Sequence, residues 1–232
     1  MYEVKQVKCL LIYIVFNLDN KEKEPMDELL LKTESTREND AYDRLVEENF
    51  NRRILVLNDE INEAVMENYV LFILNWNCED TERGIPIKKR RPIKLYISSP
   101  GGDSFDGSML IDVIKSSSTP IIGVAFGLVA SMGYHIYLAC HERLAFSNTI
   151  FCQHDGEIAI ANSSSKAKDI VRFFDKMDGR FKQHVLDNTI MTEEFYDEKY
   201  QQEFYFYADE EGKELGIVHK IIGKDCKIDY LF

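Results

Sequence analysis

Three short segments hold residue types that can do chemistry together. The first is Gly127-Leu128-Val129-Ala130-Ser131-Met132-Gly133, set between an apolar run and a helical pattern. A serine at a helix N-terminus sits among backbone N–H groups without partners and at the positive end of the helix dipole. Such surroundings stabilise the oxyanion formed once the hydroxyl has attacked a carbonyl. The plainer alternative is an N-cap serine. Glycines at 127 and 133 beside small Ala130 argue for an accessible hydroxyl instead. The second segment is Phe151-Cys152-Gln153-His154-Asp155-Gly156, where His154 ends a strand pattern. Imidazole titrates near neutrality, so His154 is the natural general base for a serine nucleophile. The third is Ser99-Pro100-Gly101-Gly102, directly after another strand pattern. Two glycines there let a ligand approach the backbone and leave N–H groups pointing outward; a tight turn is the simpler reading.

Rival side chains are few. His135 follows Ser131 by one helical turn, and Cys152 shares a strand face with His154. Both are expected to pack, the thiol as a small buried apolar group. His184 and His219 stand outside any constellation.

These segments need elements to position them. Arg53–Leu57 is a short apolar strand, and residues 62–76 follow with Ala64, Val65, Tyr69, Phe72, Ile73 and Trp76 at helical spacing. Cys78 to Arg91 is polar and is expected as a loop ending in Lys88-Lys89-Arg90-Arg91. Then the chain alternates. Ile93–Ile97 is a strand, 105–116 a helix, Pro120–Phe126 a strand and Ala130–Ala139 a helix. Arg143–Phe146 and Thr149–Cys152 are further short strands. Strands alternating with helices of this length imply right-handed crossovers and a largely parallel α/β sheet. A long amphipathic helix is expected from about Ser165 to Leu186, with Ile170, Phe173, Phe174, Met177 and Phe181 on one side. Asp209 should cap a last helix that ends at Gly216, before a strand over Ile217–Ile222.

Composition narrows the function. The 232 residues suffice for one core, not two ordinary domains. A net charge of −12 is the wrong sign for a phosphate-binding surface, so nucleic acid is not an expected partner. Five cysteines without a CxxC pair suit neither a disulfide framework nor a zinc site, and fit a reducing compartment. The apolar run Cys9–Phe16 is about eight residues, far short of a membrane span. Residues 19–49 are acidic and poor in apolar anchors, and are expected to be solvated and partly disordered. Three parts result: an N-terminal extension over 1–49, a folded domain over 50–223 and a tail over 224–232.

Taken in order, Ser99–Gly102, Ala130–Gly133 and His154 resemble the motifs of the proteolytic subunit of the ATP-dependent Clp protease. The spacings of 29 residues from Gly102 to Ser131 and 23 from Ser131 to His154 are near that family's. The resemblance runs from Phe50 to Ile222 and includes the ending Ala208 to Val218. It implies a crotonase/ClpP-like α/β fold of repeated β-β-α units, with the helix from Ser165 as a protruding handle. It implies a serine endopeptidase with Ser131 as nucleophile, His154 as base, and the N–H groups of Gly102 and Met132 as oxyanion hole. It further implies a seven-membered ring, doubled face to face, that degrades unfolded polypeptides fed by an AAA+ unfoldase. That partner would use the ATP; this chain would need no cofactor or metal, would meet no membrane or nucleic acid, and would be cytoplasmic. Within the same fold, a signal-peptide-peptidase-like or phage maturation protease is the alternative enzyme; a catalytically silent ring scaffold is the alternative outside enzymes.

One motif departs from the family. Its third triad residue is an aspartate about 16 residues before the glycine matching Gly216, and the ungapped count lands on Tyr200. Asp197 lies three residues upstream and Glu203 three downstream. Either a one-turn slip brings Asp197 to His154, or the enzyme is a Ser131–His154 dyad.

Overall fold

A computed structural model of the chain describes residues 41–231. The chain divides into two compact units, Met1–Glu47 and Glu48–Phe232. The Cys9–Phe16 run and the acidic lead-in up to residue 40 lie outside the described residues. Residues 41–51 form a largely exposed helix (α1), although 41–49 belong to the stretch expected to lack order.

The second unit is built on a seven-stranded sheet. Its strands are β1 (Ile54–Leu57), β2 (Ile93–Ser99), β3 (Ile121–Ala130), β4 (Glu142–Phe146), β5 (Ile150–Gln153), β6 (Phe204–Tyr207) and β7 (Lys220–Ile222). The order β1-β2-β3-β4-β7 is parallel throughout; β5 joins β3 in parallel, and β6 joins β5 antiparallel. The helices are α2 (Leu71–Glu82, entered through one π-helical turn, Met66–Val70), α3 (Ser104–Ser116), α4 (Met132–Ala139), α5 (Ser164–Asn188), α6 (Glu193–Tyr200) and α7 (Glu211–Glu214).

Strand alternation splits the sheet into two apolar faces. Ile93, Leu95, Ile97, Ile121 and Ala125 join Ile73, Trp76, Leu110, Ile114, Ile136 and Tyr137 of the helices in the main core. Ile122, Val124, Leu144 and Ile222 face the other way, where Leu231 covers them. The tail is therefore tied down: Lys94 Nζ and Tyr96 Oη both donate to the Leu231 carbonyl, at 2.6 and 3.2 Å.

The expected loop after Cys78 is helical as far as Glu82. The cause is a buried ion pair. Arg53 donates to both oxygens of Asp80 at 2.7 Å, and Thr119 Oγ1 donates to the same carboxylate at 2.9 Å. Polar residues that suggested solvent are thus partners for a cation at the start of β1. A second buried cation, Arg143, is bound by carbonyls instead of a carboxylate. It donates to those of Leu138, Asn188, Gly216 and Ile217, joining the ends of α4 and α5 to the β7 approach.

The strand β3 runs four residues past the expected end. Its register against β2 shifts between Ile97↔Ala125 and Ser99↔Val129, so β3 carries two extra residues over that interval. This irregularity turns the end of β3 toward β5, with which Leu128, Val129 and Ala130 pair. The segments after β2, β3 and β5 therefore emerge together, at the carboxyl ends of neighbouring strands, where open α/β sheets place their sites.

Candidate active site

Ser131 links β3 to α4 with φ +51° and ψ −124°. A non-glycine residue at positive φ is held there only by its surroundings. Its N–H donates to the Cys152 carbonyl at 2.9 Å, and its carbonyl accepts from Tyr134 at 3.0 Å and His135 at 3.3 Å. It occupies the N-cap position of α4, yet its side chain caps nothing. The simple capping role is thereby removed, and the half-buried hydroxyl is left without a partner among the described residues.

The Ser99–Gly102 turn lies against this junction. Gly101 and Gly102 have φ of +106° and +143°. Residue 61 clamps them: Ile61 N–H donates to Gly101 O, and Asp103 N–H donates to Ile61 O, both at 2.8 Å. That leaves the Gly102 N–H without an acceptor among the described residues, and the Met132 N–H is the first, unpaired donor of α4. A Cβ on Gly102 would lie 2.3 Å from Ile61 O, so only glycine fits.

His154 follows β5, whose pairing with β3 sets Cys152 beside Ala130. The Ser131 N–H to Cys152 O bond brings the serine to the strand end that carries the histidine. No hydrogen bond joins Ser131 Oγ to His154 in this state. Contacts of this kind are often long before substrate tightens them. The Nδ1 of His154 lies 3.5 Å from Glu203 Oε1.

Asp197, the candidate for the third position, is not brought to His154. It sits on the exposed side of α6, with its carboxylate oxygens 2.7 and 2.9 Å from Lys182 Nζ. The slip of one helical turn fails because Lys182 of α5 claims that carboxylate. Tyr200, at the ungapped position, pairs instead with Asp178 of α5, and its hydroxyl is held well above the usual range by burial and by that carboxylate. Sequence reasoning did not expect β6, and β6 is what presents Glu203.

The rivals are accounted for. Burial pushes the His135 imidazole down to about 3, with His184 and His154 adding to the effect, so it stays neutral. Its ring packs on Phe181 at 4.7 Å, and its carbonyl lies 2.9 Å from His184 Nε2. Burial likewise pushes the Cys152 thiol up to about 11, with Glu203 raising it further and Tyr205 opposing. A thiol in that state is not a nucleophile at neutral pH. Among the described residues no group of three or more His, Cys, Asp or Glu is placed to hold a metal ion, and no helix is long and apolar enough to cross a membrane.

A mostly parallel α/β sheet that projects a strained serine from one strand end and a histidine from the next has the ClpP-like fold. The chain belongs to the Clp protease family, whose model matches residues 33–225. Among curated relatives, it is 29% identical over 192 residues to ATP-dependent Clp protease proteolytic subunit 2 of Prochlorococcus marinus strain NATL2A, an alignment covering 79% of this chain and 86% of the relative. The same-named subunit of strain MIT 9312 is 28% identical, with 79% and 85% covered.

Proposed function

We propose that the chain is a serine endopeptidase that cleaves unfolded polypeptides inside a ring-shaped chamber. The observation that carries this reading is the Ser131 backbone. A residue held at φ +51° whose hydroxyl satisfies no cap is better explained by chemistry than by folding. In the reaction, Ser131 Oγ attacks the scissile carbonyl and its proton passes to His154. The Gly102 and Met132 N–H groups receive the oxyanion; as it collapses the C–N bond breaks and His154 gives the proton to the leaving amine. A water deprotonated by His154 then hydrolyses the acyl-serine ester and restores the Ser131 hydroxyl. A seven-membered, doubled ring and a partner AAA+ unfoldase that supplies ATP-driven threading complete the proposal. They are supported by the family and by relatives named as proteolytic subunits of an ATP-dependent protease.

One observation favours a second reading, a catalytically silent ring subunit: Ser131 and His154 are not hydrogen-bonded. Labelling with a fluorophosphonate decides between them. The wild-type chain should be labelled and should hydrolyse a short fluorogenic peptide; Ser131→Ala should do neither while assembling normally. Labelling that persists in Ser131→Ala would move the nucleophile elsewhere.

A further inference from the structure

We infer that Glu203 of the β6 approach, and no residue of α6, is the carboxylate that positions His154. The inference rests on the serine-peptidase reading above and names the residue that orients its base.

Register carries the argument. The strands β5 and β6 pair antiparallel as Ile150↔Tyr207, Phe151↔Phe206, Cys152↔Tyr205 and Gln153↔Phe204. Continued one residue beyond the paired strands, that register sets His154 opposite Glu203. Directly opposed residues on one face have Cβ atoms roughly 4.5–5.5 Å apart. Alternation places Cys152 and His154 on the same face as Glu203 and Tyr205. The side chains follow this frame. Glu203 Oε1 lies 3.5 Å from His154 Nδ1, and Glu203 Oε2 lies 3.5 Å from Cys152 Sγ, which donates to it. One carboxylate oxygen thus faces the imidazole while the other is held by a thiol two residues earlier on the same strand.

The remaining acids of α5 and α6 near this position have other partners. Asp197 is bound by Lys182, and Asp178 by Tyr200. A carboxylate at Nδ1 favours the tautomer with its proton on that nitrogen, which leaves Nε2 free to take the Ser131 proton. Glu203 is a positioning residue, since it touches neither substrate nor the reacting atoms.

Exposure sets the size of the effect. A buried carboxylate in this role is worth roughly 10⁴ in kcat. The Glu203 side chain is 63% exposed, and exposed ion pairs are worth far less. Glu203→Gln should therefore lower kcat by roughly 10- to 100-fold with KM nearly unchanged. Asp197→Asn should stay within about threefold of wild type.

The test uses the full-length assembled protein. Peptide hydrolysis gives kcat and KM for wild type, Glu203→Gln and Asp197→Asn. In parallel, ¹⁵N spectra of histidine-labelled protein report the tautomer of His154, a signature that a merely structural residue would not move. The expected result is a dominant Nδ1–H form in wild type that shrinks in Glu203→Gln and persists in Asp197→Asn. An unchanged tautomer in Glu203→Gln overturns the inference whatever the hydrolysis assay shows. So does a kcat within threefold of an active wild type. A wild-type chain that neither hydrolyses nor labels, yet shows the tautomer change, keeps Glu203 as the partner of His154 and overturns the peptidase reading alone.

Discussion

Gly101→Ala should disable the site without unfolding the protein. The added Cβ would lie 2.6 Å from Ser131 Cβ, 3.0 Å from Ala130 O and 3.1 Å from Met132 N, where ordinary contacts begin at 3.4 Å. Two of these neighbours are backbone, so the strain falls on the junction that holds the proposed nucleophile and one proposed oxyanion donor. Relief requires a displacement of about 1 Å, and a misplacement of that size can cost roughly 10²-fold in rate. Moving the Met132 N–H away from the developing oxyanion costs a further factor, since one such donor is worth about 10²–10³. The expected loss in kcat is thus at least about 10²-fold. The backbone penalty for alanine at positive φ, roughly 1–2 kcal/mol, must be separated from this. Gly84→Ala provides the control: Gly84 has φ +61° and an added methyl there would meet nothing within 4 Å, so stability should fall while turnover stays. Both variants are to be compared by thermal melting, kcat on a short peptide and the rate of fluorophosphonate labelling. A folded Gly101→Ala protein that turns over within threefold of wild type would refute the claim that this turn fixes the serine.

Two further outcomes are expected. Asp80→Asn strands the Arg53 guanidinium at a site where the carboxylate is 1% exposed, and should cost about 3–5 kcal/mol by urea unfolding. Arg53, and then Thr119, hold the Asp80 carboxyl below its usual range; stability from the pair is complete above about pH 4 and lost as pH falls through the lowered value, so the wild type should show an acid-dependent loss that Asp80→Asn lacks. Phe173→Asp with Phe174→Asp places charge in the aromatic cluster that these residues form with Phe105 on the exposed flank of α5. Sedimentation should show smaller assemblies, and an unchanged sedimentation coefficient would remove that flank from the interfaces of the proposed ring.

Much of this protein is legible without coordinates. The alternation of apolar runs and helical patterns from Ile93 to Cys152 marks β2 to β5 with α3 and α4 within a few residues, because burial and backbone period act locally. The sequence also singles out Ser131, His154 and the Gly101-Gly102 turn, since their chemistry depends on residue type at strand ends. What escapes it depends on pairing between distant segments. The run Phe204–Tyr207 is four aromatics in a row, with no alternation to announce a strand, and its place beside β5 is decided by the partner it finds. Asp209 looks like a helix cap but spends its carboxylate on Lys224, while Glu210 takes the cap position. Asp197 sits one turn from the right count, yet Lys182 holds it, and Glu203 reaches His154 only because an antiparallel register sets them opposite each other. Residue type and period determine which groups can react; strand register, a non-local property, determines which of them meet.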